Sequence, residues 1–445
     1  MKVILVLGAG LSSASLFRYI IANLTTNAWR LVIANDSIAS LIERYGSIPE
    51  IDLVELDVTN HERRRNLIAD CDLVISMLPA RFHVEIALDC INAKKNLITP
   101  SYVSPEMNKL HDLAVQEGVT IMNETGVDPG IDHMSALKII QEIEGKGAKL
   151  LSFKSFCGGL IAPESDDNLW HYKFTWNPRN VVLAGQGGVT SFLQQKELKY
   201  IPYNQLFKRT ERFDIEGYGS FDGYANRDSM KYIELYKIEG IETIYRGTLR
   251  RPDFCQAWDV LVELGLTEDG YVLENSHLLT PRQFLNAFLP YHPKFTVETK
   301  LKRFLREDRQ HLYPMFQELG LFDNKQTIHD EDASPARLLQ LLLEKAWTLG
   351  PKDKDMLVML HEFEYKLGEQ KYRLVSSMVS VGEDHNFTAM ANTVGLPIGI
   401  IAKHFLNGYS KPGVQLPVDS DLYLPVLEEL KELGIKFIDN LTEIH

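Results

Sequence analysis

Lys2-Val3-Ile4-Leu5-Val6-Leu7 runs into Gly8-Ala9-Gly10-Leu11-Ser12-Ser13, and the reading of this stretch decides the fold. A short apolar run that ends in a glycine turn reads as a buried strand, and helix-spaced apolar residues follow at 16–24. The GxGxxG spacing is kept, with Ser13 in the third glycine position. Gly8 permits the tight turn, and Gly10 removes the side chain that would block a pyrophosphate. Ser13 is small enough for helix–strand packing. A pyrophosphate bound there would sit at the positive end of the following helix.

Working outward, apolar runs at 2–7, 30–34, 52–56, 73–77, 96–99 and 120–123 are rich in Val, Ile and Leu. Amphipathic stretches at 16–24, 38–45, 61–68, 83–93 and 105–117 separate them. This alternation predicts right-handed βαβ crossovers and a buried parallel sheet, that is, an α/β Rossmann domain. After Pro129 the rhythm changes. Residues 149–156 and 247–249 read as extended and 226–236 as helical, and helices are expected at 280–288, 296–306, 312–319 and 336–348. Two alternating runs at 356–365 and 371–381 flank Gly368 and predict a hairpin. Residues 388–406 and 422–433 read as helices, with a last short strand at 436–438. The expected plan is a nucleotide domain, a second α/β domain for substrate, and a helical insertion.

The chain has 445 residues, the length of two or three domains. Its charge sum of 47 − 60 = −13 argues against a generic nucleic-acid binder, which needs a basic face. Cys71, Cys90, Cys157 and Cys255 form no CxxC pair, which argues against a disulfide framework and a zinc site. The thirteen histidines show no HExxH or paired spacing, so no metal is expected. The run from Val3 to Leu7 is too short for a signal sequence, and no window approaches the ~20 apolar residues of a membrane span. The expectation is a soluble, cytoplasmic protein with neither nucleic acid nor membrane as a partner.

Asp36 follows the second strand in Ala34-Asn35-Asp36-Ser37. An acid there would take both ribose hydroxyls of NAD and repel a 2′-phosphate, so NAD is the expected cofactor and NADP is disfavoured. The other reading of Asp36 is a helix cap. Asp57-Val58 and Leu78-Pro79 either flank the adenine and ribose or are ordinary loops. A dinucleotide turn names a cofactor and not a reaction. Ser101 and Tyr102 stand after the fifth strand, where open α/β sheets bind ligands. Asp128 precedes Pro129 and is held extended, either to meet a substrate or to cap the helix that starts near Ile131. Cys157-Gly158-Gly159 reads as a glycine-rich turn that either approaches a ligand or is a strained loop. Tyr172-Lys173-Phe174-Thr175-Trp176 reads as core or as site. Arg227, Arg246 and Arg250 carry guanidinium forks that grip carboxylates. They form either a polycarboxylate pocket or separate surface ion pairs.

Read together, SYVSPEM (101–107), NETGVDPGIDHM (123–134), FCGGLIAPESDDN (156–168), YKFTW (172–176), YANRDS (224–229), RGTLR (246–250), GPKDKDMLVM (350–359) and AMANTVGLP (389–397) resemble the saccharopine dehydrogenases of the L-glutamate-forming type. Ile161 departs from the usual proline of GGLPAPE, and Asp36 stands where NADP-using fungal members have arginine. The resemblance implies a Rossmann domain at 1–127, a substrate-binding α/β domain at 128–270, a helical insertion at 271–350 and a return to the substrate domain at 351–386. Residues 387–445 would complete the Rossmann domain. It also implies a homodimer and a reaction of lysine metabolism: saccharopine, NAD and water giving glutamate, 2-aminoadipate 6-semialdehyde and NADH.

Carried over residue by residue, the resemblance assigns Gly8, Gly10, Leu11 and Ser12 to the pyrophosphate and Asn35, Asp36 and Ser37 to the ribose. Asp57, Val58, Leu78, Thr99, Val127, Pro129 and Trp176 would also line the cofactor. Ser101, Tyr102, Asp128, Arg227, Thr248, Leu249 and Arg250 would hold saccharopine, and Asp128, Tyr102 and Cys157 are the candidate catalytic groups. The alternatives are a carboxynorspermidine dehydrogenase-like enzyme and a non-catalytic NAD-binding protein on the same fold.

Overall fold

The computed structural model describes residues 1–444. The chain divides into two compact units, one of residues 1–147 and 378–437, the other of residues 148–377 and 438 onward.

The first unit is a seven-stranded sheet. Its strands are β1 (Lys2–Leu7), β2 (Trp29–Asn35), β3 (Ile51–Glu55), β4 (Leu73–Ser76), β5 (Asn96–Ile98), β6 (Thr120–Met122) and the short Gly413–Gln415. The order is 3-2-1-4-5-6, with Gly413–Gln415 outside β6, and every pairing is parallel. Order and direction are those of the doubly wound dinucleotide fold. Burial explains the strand composition. Ile4, Leu5, Val6 and Leu7 of β1 are fully buried because helices cover both sheet faces. One described helix, Ala389–Leu406, has the length and apolar composition to cross a membrane, and most of it is buried inside this unit. Ser15 of the first helix, Ala14–Asn27, donates to Asn392 Oδ1 on that helix at 2.5 Å.

The second unit is built on a nine-stranded sheet around Lys149–Ile161, which runs parallel to Thr243–Arg250 and antiparallel to Asp355–Leu367. The hairpin forms as expected: Asp355–Leu367 and Gln370–Val381 meet at Gly368, whose φ is +59°. Between Phe254 and Ala346 the chain carries a run of helices, including Pro281–Phe288, Val297–Leu305 and Pro335–Ala346.

Several expectations change. Helix Ile131–Gly145 belongs to the first unit, so the division falls at 147/148 and not at 127/128. The last strand is Ile438–Ile444. It pairs antiparallel with Gln370–Val381, so the terminal residues join the second sheet and do not complete the Rossmann unit. Residues 226–230 are not helical. Arg227 has φ +53°, and the helix begins at Lys231. Four strands at Thr190–Gln194, Glu197–Ile201, Thr210–Ile215 and Gly219–Ala225 lie where no element was read. Three of them are short, polar ribbons, and cross-strand pairing supplies the order that their apolar content does not.

Cys157-Gly158-Gly159 is not a turn. It lies inside the central strand Lys149–Ile161, in register with Thr248 and Met359. A Cβ on Gly158 would fall 2.6 Å from the Leu249 carbonyl oxygen, so the glycine serves backbone approach between strands.

Candidate active site

The glycine turn is built as its spacing demands. Gly8 has φ +94°, and a Cβ there would press against Leu78 at 3.1 Å. A Cβ on Gly10 would meet nothing within 4 Å, so the space beside it is open for a ligand. Ser13 is buried, and its hydroxyl donates to the Gly10 carbonyl at 2.6 Å, which is the packing role its position asks for. Asn35 ties the turn to the end of β2: its Oδ1 accepts from the Ala9 amide at 2.9 Å, and its Nδ2 donates to Asp36 Oδ1 and to the Ser37 carbonyl, each at 2.8 Å.

A groove of about 360 Å³ runs along these strand ends. Gly8, Gly10, Asn35, Asp36, Asp57, Val58 and Leu78 all line it, as the sequence reading expects. The fit to a dinucleotide rests on this geometry: open space over Gly10, a helix N-terminus behind it, and strand-end polar groups for a ribose. Leu11, Ser12, Ser37, Thr99, Val127 and Pro129 are not among the lining residues. Asp57 is held below the usual carboxylate range by the hydroxyl and amide of Thr59, at 2.7 and 2.9 Å from its Oδ1. Arg81 was missed. It borders the same groove, exposed, with its guanidinium over the Phe82 ring at 4.6 Å and no ion pair among the described residues.

Beyond β5 and β6 a second set of groups converges. Tyr102 donates its hydroxyl to Asp128 Oδ1 at 3.0 Å. The capping alternative for Asp128 is not what the helix shows: the N-cap of Ile131–Gly145 is Gly130, at φ +145°, and no side chain caps it. His83, also missed, places Nε2 2.9 Å from Ser101 Oγ and 3.0 Å from Thr99 Oγ1. Burial pushes its pKa down to about 4, so the ring is neutral at pH 7. Glu124 and His133 form a buried pair at 2.8 Å, with Glu124 Oε1 accepting from the Val103 amide at 3.0 Å. Both residues lie in the quoted stretch NETGVDPGIDHM, but no role was assigned to either from the sequence.

The second unit has its own groove of about 470 Å³, lined among others by Trp176, Tyr224, Arg227, Thr248 and Arg250. Arg250 is buried. Its Nη1 donates to the Leu249 carbonyl at 2.9 Å, its Nε has no partner, and no carboxylate pairs with it among the described residues. The rings of Tyr172, Phe254 and Tyr224 surround the guanidinium at 5.1, 5.3 and 6.0 Å. A buried charge without a countercharge is costly unless an anion arrives to meet it. Arg246 does not line this groove, and its guanidinium lies over Tyr232 at 4.1 Å. Leu249 is fully buried and does not line it either. The YKFTW cluster divides. Tyr172 is core, Lys173 pairs with Asp167 and Asp353, and Trp176 borders the groove.

Fold and glycine turn together define a dinucleotide-binding protein of the Rossmann class with a second α/β unit. Residues 4–122 match the saccharopine dehydrogenase NADP binding domain, and residues 126–435 match the saccharopine dehydrogenase C-terminal domain. The chain is 34% identical to saccharopine dehydrogenase [NADP(+), L-glutamate-forming] of Saccharomyces cerevisiae, over 85% of this chain and 86% of that protein. It is 30% identical to the enzyme of the same name from Schizosaccharomyces pombe, over the whole of both. The chain spans 48% of the mitochondrial alpha-aminoadipic semialdehyde synthase of Bos taurus, to which it is 32% identical. Among solved structures, apo saccharopine dehydrogenase (L-Glu forming) from Saccharomyces cerevisiae superposes with a TM-score of 0.89, covering 99% of this chain and 100% of that one. A homospermidine synthase from Legionella pneumophila, at 12% identity and a TM-score of 0.56, shares the fold.

The chain belongs to the saccharopine dehydrogenase family, in its L-glutamate-forming branch, and is an oxidoreductase of lysine metabolism.

These matches overturn the expected NAD preference. The relatives are named for NADP(+), and the N-terminal half matches an NADP binding domain. The expectation rested on Asp36 alone. That carboxylate is exposed, and its Oδ1 already accepts from Asn35 Nδ2 and from the Ser37 amide at 2.9 Å, inside its own turn. Arg81 adds a cation to the same groove, which the sequence reading left out.

Proposed function

We propose that the chain catalyses the reversible, NADP(H)-dependent cleavage of saccharopine to glutamate and 2-aminoadipate 6-semialdehyde. The observation that carries this reading is Arg250, a buried guanidinium with no carboxylate of its own, on the wall of an open groove. A substrate with three carboxylates supplies what that cation lacks. Arg250, together with Arg227 on the same groove, would grip it. Thr248 and Trp176 line the same groove.

The dinucleotide groove would hold the pyrophosphate over Gly10, and the ribose against Asn35 and Asp36. Arg81 would meet the 2′-phosphate. When bound, the nicotinamide would accept a hydride from the substrate carbon beside the secondary amine. The chain handles protons. Asp128, with Tyr102 donating to it, would take the proton that the secondary ammonium gives up before oxidation. The same pair would then assist water as it adds to the resulting imine, and would return a proton to the departing glutamate nitrogen. Cys157, on the strand beside Thr248, is the further candidate for one of these transfers. The balance is saccharopine, NADP+ and water giving glutamate, the semialdehyde, NADPH and one proton. Fixing the C–H of the substrate in place is worth ~7–11 kcal/mol of barrier when the alignment is good.

The test is NADPH formation with saccharopine, set beside carboxynorspermidine. Turnover of saccharopine that is lost in Arg250→Ala supports the reading. A preference for the monocarboxylate imine product, or turnover of neither, refutes it.

A further inference from the structure

The helical run of the second unit carries a cavity of about 490 Å³ that shares no lining residue with either groove above. Four cations border it, Lys300, Arg303, Arg306 and Arg309, against one carboxylate, Glu263, in a chain whose net charge is −13. Glu263 is already taken: Arg309 Nη2 donates to it at 2.8 Å, and Lys208 lies 3.0 Å away. Arg309 also lies 3.4 Å from Asp259, and Arg306 3.9 Å from Asp308, which leaves Lys300 and Arg303. Lys300 is 9% exposed, and its Nζ donates to the neutral Asn286 Oδ1 at 3.0 Å. It has no carboxylate partner among the described residues. Its other neighbour is the ring of Tyr291, with the ammonium 5.8 Å from the ring centre.

Arg303 likewise has no ion pair, and its guanidinium lies over the Phe295 ring at 4.0 Å. That ring stacks on His292 with centroids 3.4 Å apart and planes 7° from parallel, so the cavity wall is a layered aromatic face topped by a cation. Tyr291 on the rim is 87% exposed, an unusual placement for so large a ring.

A buried ammonium without a countercharge, beside an aromatic pair and a guanidinium that has no ion pair, matches a ligand that joins an anionic group to a flat ring. We propose that this cavity is a second, regulatory-type binding site for a phosphate ester with a planar base, of mononucleotide size. Lys300 and Arg303 meet the phosphate, and the base stacks on the outer ring of the His292–Phe295 pair, His292, since Phe295 lies between His292 and Arg303.

The probe is ATP, titrated calorimetrically into the full chain already saturated with dinucleotide, so that the Rossmann groove is closed to it. The expected result is saturable binding that weakens at least tenfold in Arg303→Glu, an exposed position whose change leaves the core intact. Lys300→Met should weaken it similarly, and the dinucleotide Kd should be unchanged in both. No saturable binding to the dinucleotide-loaded protein overturns the proposal. Binding equal in wild type and Arg303→Glu overturns it too.

Discussion

Tyr102 Oη lies 3.0 Å from Asp128 Oδ1 and donates to it, joining the loop after β5 to the segment that precedes helix Ile131–Gly145. The two residues are 26 positions apart, and both are half-buried, so the carboxylate is oriented while still partly open to solvent. In the proposed reaction a carboxylate so placed would act as proton acceptor, a role that contributes about 10²–10⁴-fold to rate.

Asp128→Asn is therefore expected to lower kcat by about 10²–10⁴-fold, with the Kd for dinucleotide unchanged. Tyr102→Phe, which removes one hydrogen bond, should cost about tenfold. Steady-state rates with saccharopine, paired with cofactor binding by fluorescence, check both. Unchanged turnover in Asp128→Asn would move the proton work to Cys157 or to water.

Arg250→Met is expected to act in opposite directions on stability and on binding. Losing a buried charge grip on a carboxylate costs ~2–5 kcal/mol, so KM for saccharopine should rise at least ~30-fold. The substrate-free protein should gain about 1 kcal/mol or more, because an unpaired buried guanidinium is replaced by an apolar side chain of similar length. Calorimetric Tm without substrate, read beside KM, tests the pair of signs. A fall in Tm would mean that the aromatic cage of Tyr172 and Phe254 needs the cation.

Gly10→Ala and Gly158→Ala should separate function from folding. The added methyl at Gly10 meets no protein atom within 4 Å, so Tm should hold while the dinucleotide Kd rises more than about tenfold. At Gly158 the methyl would fall 2.6 Å from the Leu249 carbonyl oxygen, so the strand has to shift and the protein should lose about 1–3 kcal/mol. Thermal melts and cofactor titrations on both variants report the contrast.

His83 makes stability depend on pH. Its folded pKa is lowered to about 4 by burial, against 6.5 for the free side chain. Between those values the unfolded chain binds a proton that the folded chain does not. The contribution is therefore complete above pH 6.5 and drains away as pH falls towards 4, by about 3 kcal/mol in all. Urea unfolding at pH 7 and pH 4.5 should show this loss in the wild type and a smaller loss in His83→Gln.

Arg81→Ala should raise the Kd for NADP about tenfold while leaving the Kd for NAD within twofold, since only the former carries a 2′-phosphate for the guanidinium. Equal effects on both dinucleotides would assign Arg81 to the adenine through its contact with Phe82.

The Rossmann half was open to reading from the chain because its signal is local. Six apolar runs, a glycine turn and helical spacing each depend on neighbours within a few residues, and β1 to β6 formed where they were expected. The second unit yielded less. Strand Thr210–Ile215, polar on its outer face, exists because Gly219–Ala225 pairs with it, and Gly158 looks like a turn until the Leu249 carbonyl is beside it. His83 and Arg81 went unnoticed since a single histidine or arginine has no pattern, and their meaning comes from Ser101, Thr99 and the groove around them.

By itself the sequence determined the dinucleotide turn, the parallel αβ rhythm and the family, all of which are written in short contiguous runs. Tertiary structure alone decided that Arg250 is buried without a carboxylate, that Tyr102 reaches Asp128, and that Arg81 borders the dinucleotide groove. Charge pairing and burial depend on residues far apart in the chain, and only the folded backbone sets those distances.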